Sequence, residues 1–281
     1  MSIINKSVTN EQVIPVVKSS IFESCPDARF ALGILAIEDV PLDGLENEYE
    51  GYFDLRRKVY VDQTGQLHES ELAEDGTDRD QDDCRSVAFG VIENRITDHR
   101  VVAAARLIIK GFGQDNQTNR LLPVEEFCPE IFGEVPIPAE GVEVSRLIAR
   151  HENAGIQKVL QWKIYAATLG YIANHELGPT YAVVEPWLER HLKGTIPVSR
   201  IGEPRYIEHY LDYNLPIQVH TDQFVDQMNM SHPGLLDDIQ QAEGSMKYFG
   251  SLVPAQYATE FAERRSQNTP TPSERRNLKT A

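Results

Sequence analysis

Residues 142 to 171, VEVSRLIARHENAGIQKVLQWKIYAATLGY, join a strand pattern to a helix pattern. The first eight residues, Val142 to Ala149, are mostly apolar and have the length of a buried strand. Apolar residues then recur at helical spacing and form one stripe: Ile156, Leu160, Ile164, Ala167 and Tyr171. Because this stretch passes from strand to helix through a short polar turn, it predicts an α/β unit.

Similar patterns extend on both sides of this unit. The predicted strands are Phe30 to Ile37, Ser86 to Ile92, Val101 to Ile109, Thr180 to Val184 and Ile217 to His220; the further predicted helices are Leu45 to Val61 and Trp187 to Leu192. Strands and helices therefore interleave, which indicates an α/β fold with a mixed sheet. We expect an N-terminal extension (1–29), one domain (30–230) and a C-terminal extension (231–281). The tail from about residue 269 has almost no apolar residues and is predicted to be disordered.

Composition narrows the class of protein. The chain has 281 residues, three scattered cysteines and a net charge of −16, which argues against nucleic acid as a main partner. No stretch approaches the roughly 20 apolar residues that span a bilayer. The first twenty residues lack the order of charges and apolar residues that a signal peptide requires. We therefore expect a cytoplasmic protein with no membrane span.

The negative charge is concentrated in one segment. Residues 38 to 83 contain 16 acidic residues against four basic ones. Within this segment, Asp62 to Asp83 lacks apolar periodicity and is predicted to be a long loop, a feature that is often functional. The acidic segment is either a solvated face or a group of carboxylates that holds a cationic substrate.

The turn Arg150-His-Glu-Asn-Ala-Gly155 lies between the predicted strand and helix. The first backbone N–H groups of a helix can receive an anion or a developing oxyanion. Asn153 and Gly155 both tolerate the positive φ angles that we expect in such a loop. The alternative is an ordinary strand-to-helix turn.

The sequence Glu143-Val-Ser145-Arg146 places polar groups on an apolar strand. Alternation puts Glu143 and Ser145 on one face and Arg146 on the other. Such groups are costly to bury unless they are paired. Arg106 lies in the middle of a neighbouring apolar strand, so it also requires a partner. They indicate either a structural Arg–Glu pair or a buried anionic or dipolar ligand. The histidines show no metal-binding spacing, so we predict no metal site. The sequence also contains no nucleophile elbow and no phosphate loop.

In their order along the chain, these residues resemble the acyl-homoserine-lactone (LuxI-type) autoinducer synthases. The resemblance covers roughly Tyr52 to Phe224. It depends on Arg56 with Tyr60, on Asp80 and Asp83, on Arg106, on Phe127, and on Glu143-x-Ser145-Arg146. It implies a GNAT-like three-layer αβα fold with a central mixed, partly antiparallel sheet.

The resemblance also implies an activity. An N-acyltransferase of this family moves a fatty acyl group from an acyl-carrier-protein thioester, or acyl-CoA, to the amine of S-adenosylmethionine. The product would be an N-acyl-homoserine lactone, a quorum-sensing signal, and no cofactor stays bound. The alternatives are an N-acyl amino acid synthase, an exosortase-associated acyltransferase with another amine, or a catalytically silent GNAT-like binding protein.

The same resemblance assigns roles to the residues. Glu143 would be the base, with Ser145 and Arg146 in the catalytic site. Substrate binding would fall to Arg56, Tyr60, Asp80, Asp83, Arg106 and Phe127, and the pantetheine arm to Arg150, Asn153 and Gly155. The acidic carrier protein would dock on basic residues: Arg56, Arg57, Lys58, Arg150, Lys158 and Lys163. Two positions depart from the family: Gln66 stands in place of a tryptophan, and Asn153 in place of a loop glycine, which favours the carrier protein over CoA.

Overall fold

The computed structural model describes residues 30–94, 99–112, 120–231 and 247–249. Its strands are β1 (Phe30–Ile37), β2 (Val40–Pro41), β3 (Ser86–Asn94), β4 (His99–Ile109), β5 (Val142–Ala149), β6 (Thr180–Val184), β7 (Val198–Arg200), β8 (Arg205–Ile207), β9 (Asp212–Val219) and β10 (Lys247–Phe249). Its helices are α1 (Glu46–Arg57), α2 (Pro123–Phe127), α3 (Pro129–Phe132), α4 (Ala154–Asn174), α5 (Pro186–Leu192) and α6 (Thr221–Ser231). The predicted N-terminal extension and the tail from about residue 269 lie outside the described residues.

One twisted sheet organises the domain. Its strand order is β10-β1-β3-β4-β5-β6-β9-β7, with β2 paired to β1 and β8 paired to β9. Among the described strand pairs, β5 and β6 alone run parallel, so the predicted mixed, partly antiparallel sheet is confirmed. The short strand β10 comes from the predicted C-terminal extension and pairs with β1.

Helices cover both faces of this sheet. The apolar stripe of α4, with Leu160 and Ile164, packs on alternate residues of the central strands, while α1 packs Tyr52 and Phe53 against the opposite face. The predicted three-layer arrangement is therefore confirmed. Sequence periodicity missed the short elements α2, α3, β7 and β8, which are too brief to show a repeat. No helix in the described part of the chain is long and apolar enough to cross a membrane.

Two irregularities shape the middle of the sheet. Strands β5 and β6 pair only at Val142 with Thr180 and at Glu143 with Tyr181, although both strands continue. The pairing of β4 with β5 shifts between Ala104 and Arg106, and Arg146 has a φ of 50°. A bulge of this kind redirects side chains locally. The first irregularity opens a cleft, and the second decides which side chains face it.

Candidate active site

A cavity of about 520 Å³ lies where β5 and β6 separate. Part of its lining is apolar and comes from α4, β6 and β9: Leu169, Ala182, Val184, Ile217 and Val219. Another part is polar: Tyr60, Gln66, Ser145, Arg146, Glu185, Tyr210 and Asp212. Trp187, which is 56% exposed, and the exposed Arg150 mark its opening. The cavity can therefore accept a ligand with one apolar end and one polar end.

Beside the cavity, three arginines and three aspartates form an ionic network. It consists of Arg56, Asp78, Asp80, Asp83, Arg106 and Arg146. Arg56 donates to Asp78 Oδ2 at 3.1 Å and to Asp83 Oδ1 at 2.7 Å. Arg106 donates to Asp80 Oδ1 at 2.6 Å and to Ser145 Oγ at 2.9 Å. Arg146 holds Asp78 through its Nε and Nη2 atoms, at 3.0 and 3.1 Å. The six charges balance to zero.

The position of Arg146 corrects the prediction from strand alternation. The sequence pattern placed Arg146 on the face opposite to Ser145, yet both side chains reach the network and the cavity. The reason is the bulge: with a φ of 50°, Arg146 breaks the alternation, and one extra residue joins the same face. Its guanidinium lies 5.3 Å from the centre of the Tyr60 ring, so the bulge also places a cation on an aromatic wall.

Burial divides the network from the cavity. Arg56, Arg106 and Asp83 are 0%, 2% and 3% exposed, and none of them lines the cavity. Burial opposes ionisation of Asp78 and Asp80, but the neighbouring guanidinium groups outweigh it and hold the pKa of both carboxyls below the ordinary value. The network is therefore a closed set of charges that fixes Ser145 and Arg146. Its expected role as a set of substrate contacts stays a prediction.

Glu143 stands apart from this network. It is 1% exposed and does not line the cavity. Its Oε2 atom accepts a hydrogen bond from Val124 N, near the start of α2, at 2.7 Å, while Oε1 is buried with no hydrogen-bond partner. Burial is the main cause that raises the pKa of Glu143 to about 8. A buried carboxyl with this pKa is typical of a group that exchanges a proton near neutrality.

The turn before α4 differs from the expected anion site. Asn153 has a φ of −91°, and its Oδ1 accepts from the backbone N–H groups of Gly155 and Ile156 at 2.9 and 3.1 Å. The expected positive φ angles at Asn153 and Gly155 are therefore not used. The side chain caps the helix and occupies two of the amides that an anion would need. Arg150 is exposed and lines the cavity.

Arg56 and Phe127 do not lie where the resemblance to the synthases implied. Arg56 is fully buried, so the predicted docking of a carrier protein on Arg56 is wrong, while Arg57, Lys58, Arg150 and Lys158 are exposed. Phe127 does not line the cavity but packs on Tyr210, with ring centres 5.2 Å apart.

Sequence reasoning missed Asp78, Glu185, Tyr210 and Asp212. Asp78 precedes Asp80 by two residues in the acidic loop, and that proximity was the available sign. Glu185 directly follows a recognised strand, which places it at the same edge of the sheet as the cleft. Tyr210 and Asp212 belong to a hairpin with no apolar period of its own, so nothing local marked them.

The architecture matches solved structures of one kind of enzyme. BjaI, described as a CoA-dependent acyl-homoserine lactone synthase, aligns with a TM-score of 0.53 at 19% identity, over 75% of this chain and 99% of BjaI. The chain has the fold of an acyl-homoserine lactone synthase. BjaI has been solved with MTA, and with SAM and isopentyl-CoA.

A second synthase of this fold, LasI, aligns with a TM-score of 0.50 at 13% identity, over 69% of this chain and 91% of LasI. No protein-family model and no curated protein matches this sequence. The resemblance that the motifs predicted is thus confirmed by the synthase fold, and the roles of single residues stay predictions.

Proposed function

We propose that the protein is an N-acyltransferase that moves an acyl group from a carrier thioester to a small amine. The observation that carries this proposal is the cleft between β5 and β6 within the synthase fold. The cleft joins an apolar chamber to a polar wall that contains Ser145 and Arg146. An acyl chain fits the first part, and a polar acceptor fits the second.

The separated strands offer a way to hold the donor. Beyond Glu143, the backbone groups of β5 that face β6 are not paired with that strand. An extended ligand with amide groups can pair with such a strand edge, and the amides of a pantetheine arm have this chemistry. The thioester would then lie beside Ser145, where backbone N–H groups of β5 near Arg146 and Ile148 can stabilise an oxyanion.

The reaction requires a base. A neutral amine attacks the thioester carbonyl, the C–N bond forms and the C–S bond breaks, and one amine proton must leave. Glu143 is the proposed base because its pKa of about 8 lets it take a proton near neutral pH. Asp78 and Asp80 are less suited, because neighbouring guanidinium groups hold the pKa of both carboxyls below the ordinary value.

The donor is proposed to be an acyl carrier protein. Asn153 occupies two amides at the start of α4, which weakens this position as a site for the pyrophosphate of CoA. A carrier protein presents only a pantetheine arm at the end of an acidic partner. The exposed Arg57, Lys58, Arg150 and Lys158 offer the complementary charge.

The acceptor is proposed to be S-adenosylmethionine. Glu185 and Asp212 line the polar part of the cavity, and Trp187 lies at its opening. Carboxylates and an aromatic face both attract a sulfonium or ammonium group. The structure of BjaI with SAM supports the choice of this acceptor.

Incubation of the purified protein with acyl-carrier thioesters and a panel of amines tests the proposal. We expect mass spectrometry to detect an N-acyl-homoserine lactone and released methylthioadenosine, both absent when the protein is omitted. A linear N-acyl amino acid would keep the acyltransfer chemistry and replace the acceptor. A folded protein that forms no amide from any thioester and amine would contradict the proposed function.

A further inference from the structure

One stripe of side chains from α4 faces the cavity. Its members follow one another at intervals of four residues, or about one turn: Gln157, Gln161, Tyr165 and Leu169. Gln157 accepts from the backbone N–H of His151, next to Arg150 at the opening. Gln161 and Tyr165 lie about 6 and 12 Å farther along the helix. The stripe therefore changes from polar to apolar along α4, with one phenol hydroxyl in between.

Gln161 and Tyr165 are joined by a hydrogen bond inside the cavity wall. Gln161 Nε2 donates to the hydroxyl oxygen of Tyr165 at 2.6 Å. Tyr165 is 3% exposed, so its hydroxyl is removed from bulk water. The phenol hydrogen and Gln161 Oε1 have no further hydrogen-bond partner among the described residues. Because buried polar groups are normally hydrogen-bonded, the pair lacks part of its partners in the free protein.

The unused groups of this pair are one kind of donor and one kind of acceptor. In the observed arrangement they are the phenol O–H and the amide oxygen. If the amide turns over, the phenol donates to the amide oxygen, and the amide N–H groups and the phenol oxygen are left. A ligand hydroxyl matches both arrangements, because it accepts one hydrogen bond and donates another. A keto oxygen only accepts, and a methylene group does neither.

The surroundings of Tyr165 indicate that this ligand group is neutral. Burial is the main cause that raises the pKa of the Tyr165 phenol to about 12, and the Gln161 amide lowers it. Among the described residues, no charged side chain adds to this shift. The phenol therefore keeps its proton at neutral pH and faces an uncharged part of the cavity.

We propose that Gln161 and Tyr165 form a subsite for a hydroxyl group on the acyl chain, so that the preferred donor carries a hydroxylated acyl group. This assignment deepens the acyltransfer function proposed above and rests on it. A plain chain at this position leaves the buried groups unpaired, which costs more than a misfit of one methylene group in an apolar pocket. The pair thus selects the acyl group by its oxygen.

Two other features of the cavity compete with this assignment. Thr168 also lines the cavity, but its hydroxyl donates to the carbonyl oxygen of Ile164 at 2.9 Å, so its hydrogen is used within the helix. An amide of a pantetheine arm also offers one donor and one acceptor. The unpaired edge of β5 already provides backbone groups for these amides, and the pair on α4 is left for the acyl chain.

Binding of donor analogues tests the subsite without turnover. Acyl-pantetheine analogues with an amide in place of the thioester are compared by titration calorimetry at one chain length. They carry a hydroxyl at successive carbons, a keto group, or no oxygen. We expect one hydroxyl position to bind about tenfold tighter than the plain chain, the scale of a buried hydrogen bond. The keto analogue at that position should be intermediate.

Tyr165→Phe and Gln161→Leu should each reduce this preference to less than about twofold. Both variants should bind the plain chain as well as wild type does, which shows that the cavity is intact. Thr168→Val is the matched control: it removes a hydroxyl from the same wall and should keep the preference.

Three results overturn the subsite. The first is a wild-type protein that prefers no hydroxyl position by more than about twofold. The second is a preference that persists in both Tyr165→Phe and Gln161→Leu. The third is an equal loss for plain and hydroxylated ligands, which would place the pair on the pantetheine arm. Because binding is read without an acceptor, absence of acyl transfer would count against the proposed function and not against this subsite.

Discussion

In the ionic network, each of Asp78, Asp80 and Asp83 accepts from at least one guanidinium. Glu143 is as buried as Asp78 and Asp83, yet one of its oxygens accepts from a backbone N–H and the other has no hydrogen-bond partner. The two regions adjoin the same strand, β5, and burial raises the pKa of carboxyls in both, yet the net shifts of Asp78 and Glu143 have opposite directions. Guanidinium groups lower the pKa of Asp78, and desolvation raises that of Glu143. The difference separates charges that hold the site from a charge that can react.

The largest expected effect is on the free energy of unfolding, when an arginine is removed from the network. Arg56→Met removes one of the two guanidinium groups that contact Asp78 and one of the two that contact Asp83, so three carboxyls of the network are left with two arginines. We expect urea unfolding to show a loss of about 3–5 kcal/mol in the free energy of unfolding. The pair of Arg205 and Glu130, whose side chains are 34% and 58% exposed, supplies the control, since Arg205→Met should cost less than about 1 kcal/mol. Equal losses from both variants would remove the distinction between the network and the surface.

The pH dependence of kcat should next distinguish Glu143 from the carboxyls of the network. Glu143 must lose its proton to act as a base, so we expect kcat to rise as pH increases through about 8 and then to level off. The lowered pKa values of Asp78 and Asp80 keep these two carboxyls ionised in this range, so they contribute no limb. Steady-state rates from pH 6 to pH 10 test this expectation. A rate that is flat over this range in wild type would show that Glu143 does not control the reaction.

The two regions should also give stability opposite dependences on pH. The lowered pKa of Asp78 contributes stability that is present above its ordinary value of 3.8 and is lost as pH falls. The raised pKa of Glu143 contributes stability that is present below 4.5 and is lost as pH rises through about 8, by at most about 1.4 kcal/mol per pH unit.

We therefore expect Glu143→Gln to gain stability relative to wild type between pH 6 and pH 9. Urea unfolding at both pH values measures this difference. The isosteric amide keeps the acceptor for Val124 N, so packing is matched between the two proteins. A stability difference that does not change with pH would mean that Glu143 is not a desolvated acid.

A smaller effect should distinguish Asp212, on the cavity wall, from Asp80, in the network. Asp212→Asn is expected to raise the KM of S-adenosylmethionine about tenfold, the scale of one lost contact with a charged group, and to leave the KM of the acyl donor unchanged. The exposed Glu203 lies outside the cavity lining and provides Glu203→Gln as control. If Asp212→Asn leaves this KM unchanged, the acceptor does not use this wall.

The choice of acyl donor should depend on the side chain of Asn153, which caps the start of α4. Asn153→Gly frees the amides of Gly155 and Ile156, and we expect kcat/KM with acyl-CoA to rise about tenfold, as one hydrogen bond to a charged phosphate would allow. Catalytic efficiency with the acyl carrier protein should not change. Asn153→Ser retains a capping oxygen and should show no gain. A variant in which both donors improve equally would contradict the role of the cap.

The sequence predicted most of the fold because its long elements carry clear periods. The strand Val142–Ala149 and the helix Ala154–Asn174 follow the expected bounds closely. The grouping of Arg56, Arg106 and Arg146 was also accessible, since each is a charged residue in an apolar element or in a motif that the family shares.

Other parts of the site could not be predicted, for physical reasons. Strand alternation placed Arg146 on the wrong face because a bulge is a property of the pairing with β4 rather than of the strand itself. The position of Asp78 depends on the path of a long loop, which has no periodicity from which it could be predicted. Tyr210 reaches the cavity through the hairpin of β8 and β9, although it lies 65 positions after Ser145 in the sequence.

Glu143→Gln tests the central claim, that the unpaired carboxyl reacts while the network holds the site. The amide keeps the size of the side chain and cannot accept the amine proton. Single-turnover rates with saturating acyl-carrier thioester and acceptor should fall about 100-fold, while circular dichroism and the unfolding midpoint at pH 7 show an intact fold. A rate within about threefold of wild type, in a protein that is fully folded, would contradict the account.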